Sequence, residues 1–210
     1  GKEIVTIPYF TFMWAIGVRD YLRYSGDRTL IRELWPSIRL TAQRRLSECQ
    51  NGLLPVPTDT KYWSFYEWND LMSGEPIYRD APLAPRIDAP YQMFFLLFLD
   101  AAIELAEELG ESEDAAILRR GCVEARRACH AMFWDAKSGS YCTFAHEKDG
   151  AFHAEDGARS ELVQALAVLS GTAGQAECER LLPALAAGEN DWTPCTLSMI
   201  RFKYEALLAQ

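Results

Sequence analysis

Two kinds of helix-forming segment alternate along this chain, and the alternation limits what it can fold into. One kind is apolar on nearly every side. Residues 7–18 read Ile-Pro-Tyr-Phe-Thr-Phe-Met-Trp-Ala-Ile-Gly-Val before the first charge, Arg19. Residues 89–99 read Ala-Pro-Tyr-Gln-Met-Phe-Phe-Leu-Leu-Phe-Leu, and residues 162–169 are again almost wholly aliphatic. A helix without a polar face has to be buried on every side. The other kind is charged and striped, and it follows each apolar one. Its first example carries Leu30, Leu34, Ile38, Ala42 and Leu46 at a spacing of four, with Arg32, Glu33, Arg39, Gln43 and Arg44 facing away. A later one carries Leu118, Cys122, Ala125, Cys129 and Met132. In series, such pairs give an inner layer of apolar helices covered by an outer layer of striped ones.

The expected fold is therefore all-α, of the (α/α)6-toroid type, with about three and a half of the six helical hairpins present. Inner helices are expected near 9–24, 89–109, 158–170 and 195–209, and outer helices near 27–48, 113–133 and 175–187, so that 1–210 is one partial domain. A repeat solenoid is the rival, but solenoids keep a near-constant period, and these inner helices start at uneven intervals. Punctuation supports the boundaries. Ser25-Gly26 ends the first helix and Asp27 caps the second, in which Pro36 should introduce a kink. Asn51-Gly52 stops that helix, Asp88 is the expected N-cap of the third with Pro90 in its first turn, and Gly110 ends it. Residues 134–141 read as a turn, followed by one short extended piece over 141–145.

The longest connection, 53–87, carries Pro55, Pro57, Pro76, Pro82 and Pro85 together with Tyr62, Trp63, Phe65, Tyr66 and Trp68. Disordered segments are poor in aromatic residues, so this loop is expected to be ordered, and a long ordered loop is usually functional. Its densest part, Lys61-Tyr-Trp-Ser-Phe-Tyr-Glu-Trp-Asn-Asp70, sets flat aromatic faces beside Glu67, Asn69 and Asp70. Sugars need that pairing. Their C–H faces stack on rings, and their hydroxyls take fixed carboxylate and amide partners. The competing reading is a loop that plugs the helix ends, with its tryptophans as anchors.

Composition excludes several classes. Of 210 residues, 49% are hydrophobic and 12% aromatic, and the net charge of −9 with a pI near 4.9 makes a poor polyanion binder. Nucleic acid is thus not an expected partner. Cysteines at 49, 122, 129, 142, 178 and 195 form no Cys-x-x-Cys pair and have no histidine at metal-ligand spacing, so neither metal nor cofactor is expected. Unpaired cysteines and the lack of a leader segment favour a reducing, cytoplasmic location. The uncharged run around Met93 stops at Asp100, short of a membrane span. The start at Gly1 reads as a piece of a longer protein. An open ring would expose apolar inner-helix surface, through which a homodimer is expected.

Several segments, in order, resemble the catalytic six-hairpin domain of bacterial α-L-rhamnosidases. They are Ile7-Pro8-x-Phe10, Tyr24-Ser25-Gly26-Asp27 with Glu33-Leu34-Trp35-Pro36, and Asn51-Gly52-Leu53-Leu54. They continue with Trp63-Ser-Phe-Tyr-Glu-Trp68, similar to the family's Trp-x-Phe-x-Asp-Trp, then Phe133-Trp134-Asp135 with Gly139-x-Tyr141. Ser160 with residues 165–169, and Thr193-Pro194, complete the series. The resemblance implies inverting hydrolysis of terminal α-L-rhamnosides, in which one carboxylic acid protonates the leaving oxygen and a second carboxylate activates water. The family's motifs for those two groups do not occur here, so no catalytic residue is expected in these 210 residues, with Glu67 the one candidate. What the resemblance implies instead is a sugar-binding wall. Glu67 and Trp68 match the family's Asp-Trp pair, and Trp63, Asp70, His153, Gln164 and Trp192 are further candidates. His153 is expected either to point into the funnel or to lie exposed on its loop. Gln164 is expected either to face the lumen or to satisfy neighbouring backbone. Two other readings stay open: a different six-hairpin hydrolase or lyase, and a non-catalytic all-α interaction module.

Overall fold

A computed structural model describes residues 6–74, 80–188 and 190–209 of the chain. Pro76 lies outside the described residues. In order, the elements are α1 (Phe10–Ser25), α2 (Arg28–Glu48), β1 (Arg86–Asp88), α3 (Ala89–Leu109), α4 (Ser112–Phe133), β2 (Trp134–Asp135), β3 (Ser140–Tyr141), β4 (Phe144–Lys148), β5 (Ala151–Ala154), α5 (Glu161–Leu169), α6 (Gln175–Ala187) and α7 (Ile200–Leu208).

The apolar helices pack beside one another in chain order: α1 on α3, α3 on α5, α5 on α7. The striped helices α2, α4 and α6 cover them, each against the apolar helix that precedes it. The hub is α3. It touches α1, α2, α4 and α5, and Phe94, Phe95, Leu96, Phe98 and Leu99 are each 0% exposed. Phe12 of α1 lies against Tyr91, Phe95 and Phe98, with ring centroids 5.2, 5.6 and 5.3 Å away. By length and composition α3 would cross a bilayer, but most of it is buried against its neighbours. One polar clasp ties three elements at the far end of the hub. Arg126 of α4 donates to both carboxylate oxygens of Asp100 at 3.0 and 2.9 Å and to the Ser170 carbonyl at 2.7 Å.

Burial on every side holds for α3 and nearly for α5, but not for the outer members of the series. On α1, Phe10 (53%), Trp14 (40%) and Tyr21 are exposed, as are Tyr204 and Leu208 on α7. The stripes also shift slightly. In α2 the buried side is Ile31, Trp35, Ile38 and Ala42, with Leu34 and Leu46 only partly buried. In α4 Phe133 closes the buried row and Met132 packs at its margin.

Local signals behave as their chemistry requires in most places. Asp27 accepts from the Thr29 amide at 2.8 Å, and Gly26 and Gly110 adopt the left-handed conformation that ends α1 and α3. Asp88 is the exception. It occupies the N-cap position of α3, yet its side chain does not cap the helix, because Tyr66 and Arg86 take it instead.

The chain is mostly helical but not all-α. The single extended piece expected over 141–145 is two small sheets. In one, β4 lies between β1 and β5, pairing Ile87 with Ala145 and His146 with His153, all antiparallel. In the other, Trp134 pairs with Tyr141. The β4–β5 hairpin turns at Asp149-Gly150, both at positive φ (54° and 80°), which is the Asp-Gly signature of a two-residue hairpin loop. The last helix is also shorter than expected, beginning at Ile200 rather than near Cys195. Residues 193–196 stay extended because their amides are engaged elsewhere: Thr193 bridges Ser160, and Cys195 and Thr196 donate to two buried carboxylates.

Candidate functional site

Three connections, from α2 to α3, from α4 to α5 and from α6 to α7, meet at the end of the layer where α1, α5 and α7 begin. The first of them carries the aromatic segment. Its start is pinned across the approach to α1, with the Thr6 amide donating to the Lys61 carbonyl and the Trp63 amide to the Thr6 carbonyl, each at 3.0 Å. Beyond this, residues 63–74 fold back on themselves. The amides of Tyr66 and Glu67 share the Met72 carbonyl at 2.9 and 3.2 Å, and the Asn69 side chain accepts from the Met72 amide at 2.9 Å. Gly74 closes the loop with φ +76°, and a Cβ there would lie 2.6 Å from the Ser64 carbonyl oxygen, so only glycine fits.

This loop gathers Trp63, Phe65 and Trp68 into one cluster. Ring centroids lie 4.7 Å apart for Trp63–Phe65, 4.6 Å for Phe65–Trp68 and 5.9 Å for Trp63–Trp68. Phe65 is buried beneath, and the Trp63 indole N–H is fixed on the Ser73 carbonyl at 2.9 Å. Trp68 stands 65% exposed on top. A large ring held by two others yet open to solvent is a ready stacking platform for an apolar ligand face.

The same loop carries one of two buried acids, Glu67 and Glu161. Glu67 is 0% exposed. It accepts from the Thr196 amide and, at 3.1 Å, from the Asn69 side-chain amide. Glu161, at the start of α5, accepts from the Cys195 amide at 3.0 Å and pairs with Lys203 at 2.5 Å. Two consecutive amides of the 193–199 segment are thus held by two different glutamates. Burial raises the Glu67 carboxyl above the ordinary glutamate range, its hydrogen bonds with Thr196 and Asn69 pull it back in part, and the Glu161 charge raises it again. The Cys195 thiol is pushed up to about 12 by burial and the charges of Glu67 and Glu161, against the opposing charge of Lys203, so its environment disfavours the thiolate. Burial also pushes Tyr9, which starts α1, above the ordinary tyrosine range, with the Glu67 charge adding to it.

No protein-family model matches this chain, and no curated protein sequence does. Solved structures do. The GH78 family rhamnosidase of Bacillus sp. GL1 aligns with a TM-score of 0.80 at 23% identity, over 97% of this chain and 20% of that one. A rhamnosidase from Klebsiella oxytoca with rhamnose bound aligns with a TM-score of 0.74 at 21% identity, over 97% of this chain and 35% of that one. The chain has the fold of a rhamnosidase segment. It spans well under half of either rhamnosidase's length.

On this rhamnosidase-like frame, the residues singled out in the sequence fall into two groups. Trp63, Glu67, Trp68 and Asp70 share the 63–74 loop, and Trp192, 9% exposed, lies in the connection whose residue Thr196 holds Glu67. His153 lies elsewhere. It sits on β5 beside Arg127, Ala128 and Met132 of the covering helix α4, in a cleft of about 520 Å³. It is exposed there. Gln164 is 0% exposed and spends its amide on the backbone of Tyr141, accepting from its N–H at 2.8 Å and donating to its carbonyl at 2.9 Å. Of the two roles open to Gln164, the backbone-satisfying one is seen. Glu161 and Lys203 went unnoticed in the sequence. Glu161 looked like an ordinary acid in a first helical turn, and nothing local shows that its partner is 42 residues away. Among the described residues, no group of three or more His, Cys, Asp or Glu side chains is placed to hold a metal ion.

Proposed function

We propose that this chain is part of an inverting glycoside hydrolase that removes terminal α-L-rhamnose, and that it supplies the sugar-binding wall of that enzyme. The observation that carries the reading is the exposed Trp68 ring on its Trp63–Phe65 support, in a chain whose fold aligns with a rhamnosidase that has rhamnose bound. On this reading the inner layer α1–α3–α5–α7 is an arc of a six-hairpin ring, and the three connections at its mouth face the substrate. Trp68 stacks on the sugar ring. Glu67, already engaged by Thr196 and Asn69, is a positioning residue that locks the α6–α7 connection to the aromatic loop.

Titration of the protein with L-rhamnose, followed by tryptophan fluorescence, tests this reading. Saturable quenching is expected, and Trp68→Ala is expected to weaken it at least tenfold without changing the melting temperature, since Trp68 is mostly exposed. Equal affinity in both proteins would refute the stacking role. The general acid and general base motifs are not among these 210 residues, so the chain is expected to release no product from an aryl α-L-rhamnoside. Measurable turnover that survives purification to homogeneity would overturn that division of labour.

The exposed aromatic side chains of α1 and α7 have a separate consequence. Apolar side chains left exposed on these two helices favour self-association, and we propose a homodimer through them. Sedimentation equilibrium is expected to show a concentration-dependent rise in mass, and a monomer at every concentration would contradict it.

A further inference from the structure

Strand β5 ends its sheet. β4 occupies one of its edges, and among the described residues no strand pairs with the other. The register fixes which backbone groups face that open side. Lys148 and Ala151 flank the two-residue turn at Asp149-Gly150, so they form a hydrogen-bonded pair, and in an antiparallel ladder such pairs alternate with unbonded ones. His146 with His153 is the next bonded pair, and the Glu155 amide donates to the Phe144 carbonyl at 2.8 Å, as the alternation requires. Phe152 and Ala154 therefore turn their N–H and C=O groups away from β4. No other hydrogen bond reaches those groups among the described residues. Edges of this kind are normally blunted by Lys, Pro or a bulge. The sequence Ala-Phe-His-Ala offers none of these, and Ala151, His153 and Ala154 are exposed. Only the shortness of the strand limits what pairs there.

The strand borders the cleft of about 520 Å³ against α4. Phe152, His153 and Ala154 all line it. Consecutive side chains leave a strand on opposite faces, so a cleft that touches three in a row touches the backbone itself. No residue of β4 lines it, which places it on the side of β5 away from β4. Opposite stand Ala128, Ala131 and Met132, which share one face of α4 at spacings of three and four. Ala131 is exposed, and Ala128 and Met132 are half-buried, so this apolar wall is open to a ligand. Among the described residues, the exposed Arg127 is the one arginine or lysine that lines the cleft, and no carboxylate does. An extended polypeptide matches all of these features. Its backbone offers a partner to each free group at the edge, its alternate side chains rest on the apolar wall, and an acidic side chain complements Arg127. A compact ligand lacks donors and acceptors repeating at strand spacing. We propose that the β5 edge and the facing side of α4 form a docking groove for a short extended segment of another protein, carrying apolar residues and an acidic one, which adds a strand to the sheet. The groove shares no residue with the 63–74 loop and does not depend on the sugar-binding reading.

The test is a titration of the ¹⁵N-labelled protein with the end-blocked peptide Glu-Val-Thr-Val-Thr. The Phe152 and Ala154 amides are expected to shift saturably and to exchange more slowly with solvent when the peptide is bound. Ala154→Pro removes one edge N–H without touching the ladder to β4, and is expected to weaken binding by about five- to tenfold, the effect of one hydrogen bond. Ala131→Trp fills the cleft from an exposed position on α4 and is expected to abolish binding. Unmoved β4 amides in the free variants check that the hairpin is kept. Lys in place of Glu in the peptide is expected to weaken its binding to the wild type and not to Arg127→Gln. No saturable shift at the two edge amides, or unaltered affinity in both Ala154→Pro and Ala131→Trp, would overturn the proposal. So would equal binding of peptides whose amides are alternately N-methylated in either register. A concentration-dependent rise in mass that Ala154→Pro removes, with no peptide bound, would assign the edge to a second copy of this chain and overturn it as well.

Discussion

Phe95→Ala is expected to destabilise the protein by about 3–5 kcal/mol, the usual cost of deleting a fully buried phenylalanine and leaving a cavity. Phe95 is 0% exposed at the centre of α3, and its ring lies 5.6 Å from Phe12 and 6.3 Å from Phe98. Because α3 contacts helices of both layers, the void cannot be closed by the shift of a single neighbour. Against a domain stability of about 5–15 kcal/mol, such a loss shifts the urea midpoint far to the left. Val123→Ala on α4, at a site 59% exposed, is expected to change stability by no more than about 0.5 kcal/mol. Similar midpoints for the two variants would mean that α3 is not the hub.

A loss of similar size is expected from Asp88→Ala, for an electrostatic reason. Asp88 is 0% exposed and its Oδ2 accepts from both Tyr66 and Arg86, at 2.8 and 3.0 Å. Burial raises the Asp88 carboxyl above the ordinary aspartate range, and the Arg86 charge and the Tyr66 hydroxyl oppose that rise. Removing the carboxylate strands a guanidinium whose side chain is 12% exposed, together with a buried phenol. Breaking a buried ion pair from one side costs about 3–5 kcal/mol. The double replacement Asp88→Ala/Arg86→Met is expected to recover part of the loss, because an apolar side chain then replaces the stranded charge. Denaturant titrations of the single and double variants check this, and a double variant less stable than the single one would contradict it. The pair also anchors the aromatic loop through Tyr66, so Asp88→Ala is expected to weaken rhamnose binding as well.

How much of this was legible in the chain depended on the range of each signal. Periodicity and punctuation are local. The run 89–99, the Gly26 and Gly110 stops, the Asp27 cap and similar signals placed six helices to within three residues at each end. Where a distant group competes for a local one, sequence reading misplaces the structure. Asp88 looks like a cap, but the buried Tyr66 and Arg86 claim its carboxylate. Pro194 and Cys195 look like a helix start, but carboxylates from residues 67 and 161 hold the amides that follow. The Asp149-Gly150 hairpin carried its own turn signature, yet β4 reads as Phe-Ala-His-Glu-Lys, with too little alternation to mark it as a strand. At the candidate site, composition identified the aromatic loop because stacking needs particular residue types. For Gln164 the sequence left two roles open, because the Tyr141 backbone it satisfies lies 23 residues away.

The central claim is that this chain presents a sugar-binding face built on Trp68. A crystal structure of the protein grown with L-rhamnose tests it most directly. The expected result is a pyranose ring in van der Waals contact with the exposed face of the Trp68 indole, with Glu67 still bound to the Thr196 amide. A fully occupied sugar found only away from the 63–74 loop, with the Trp68 face bare, would contradict it.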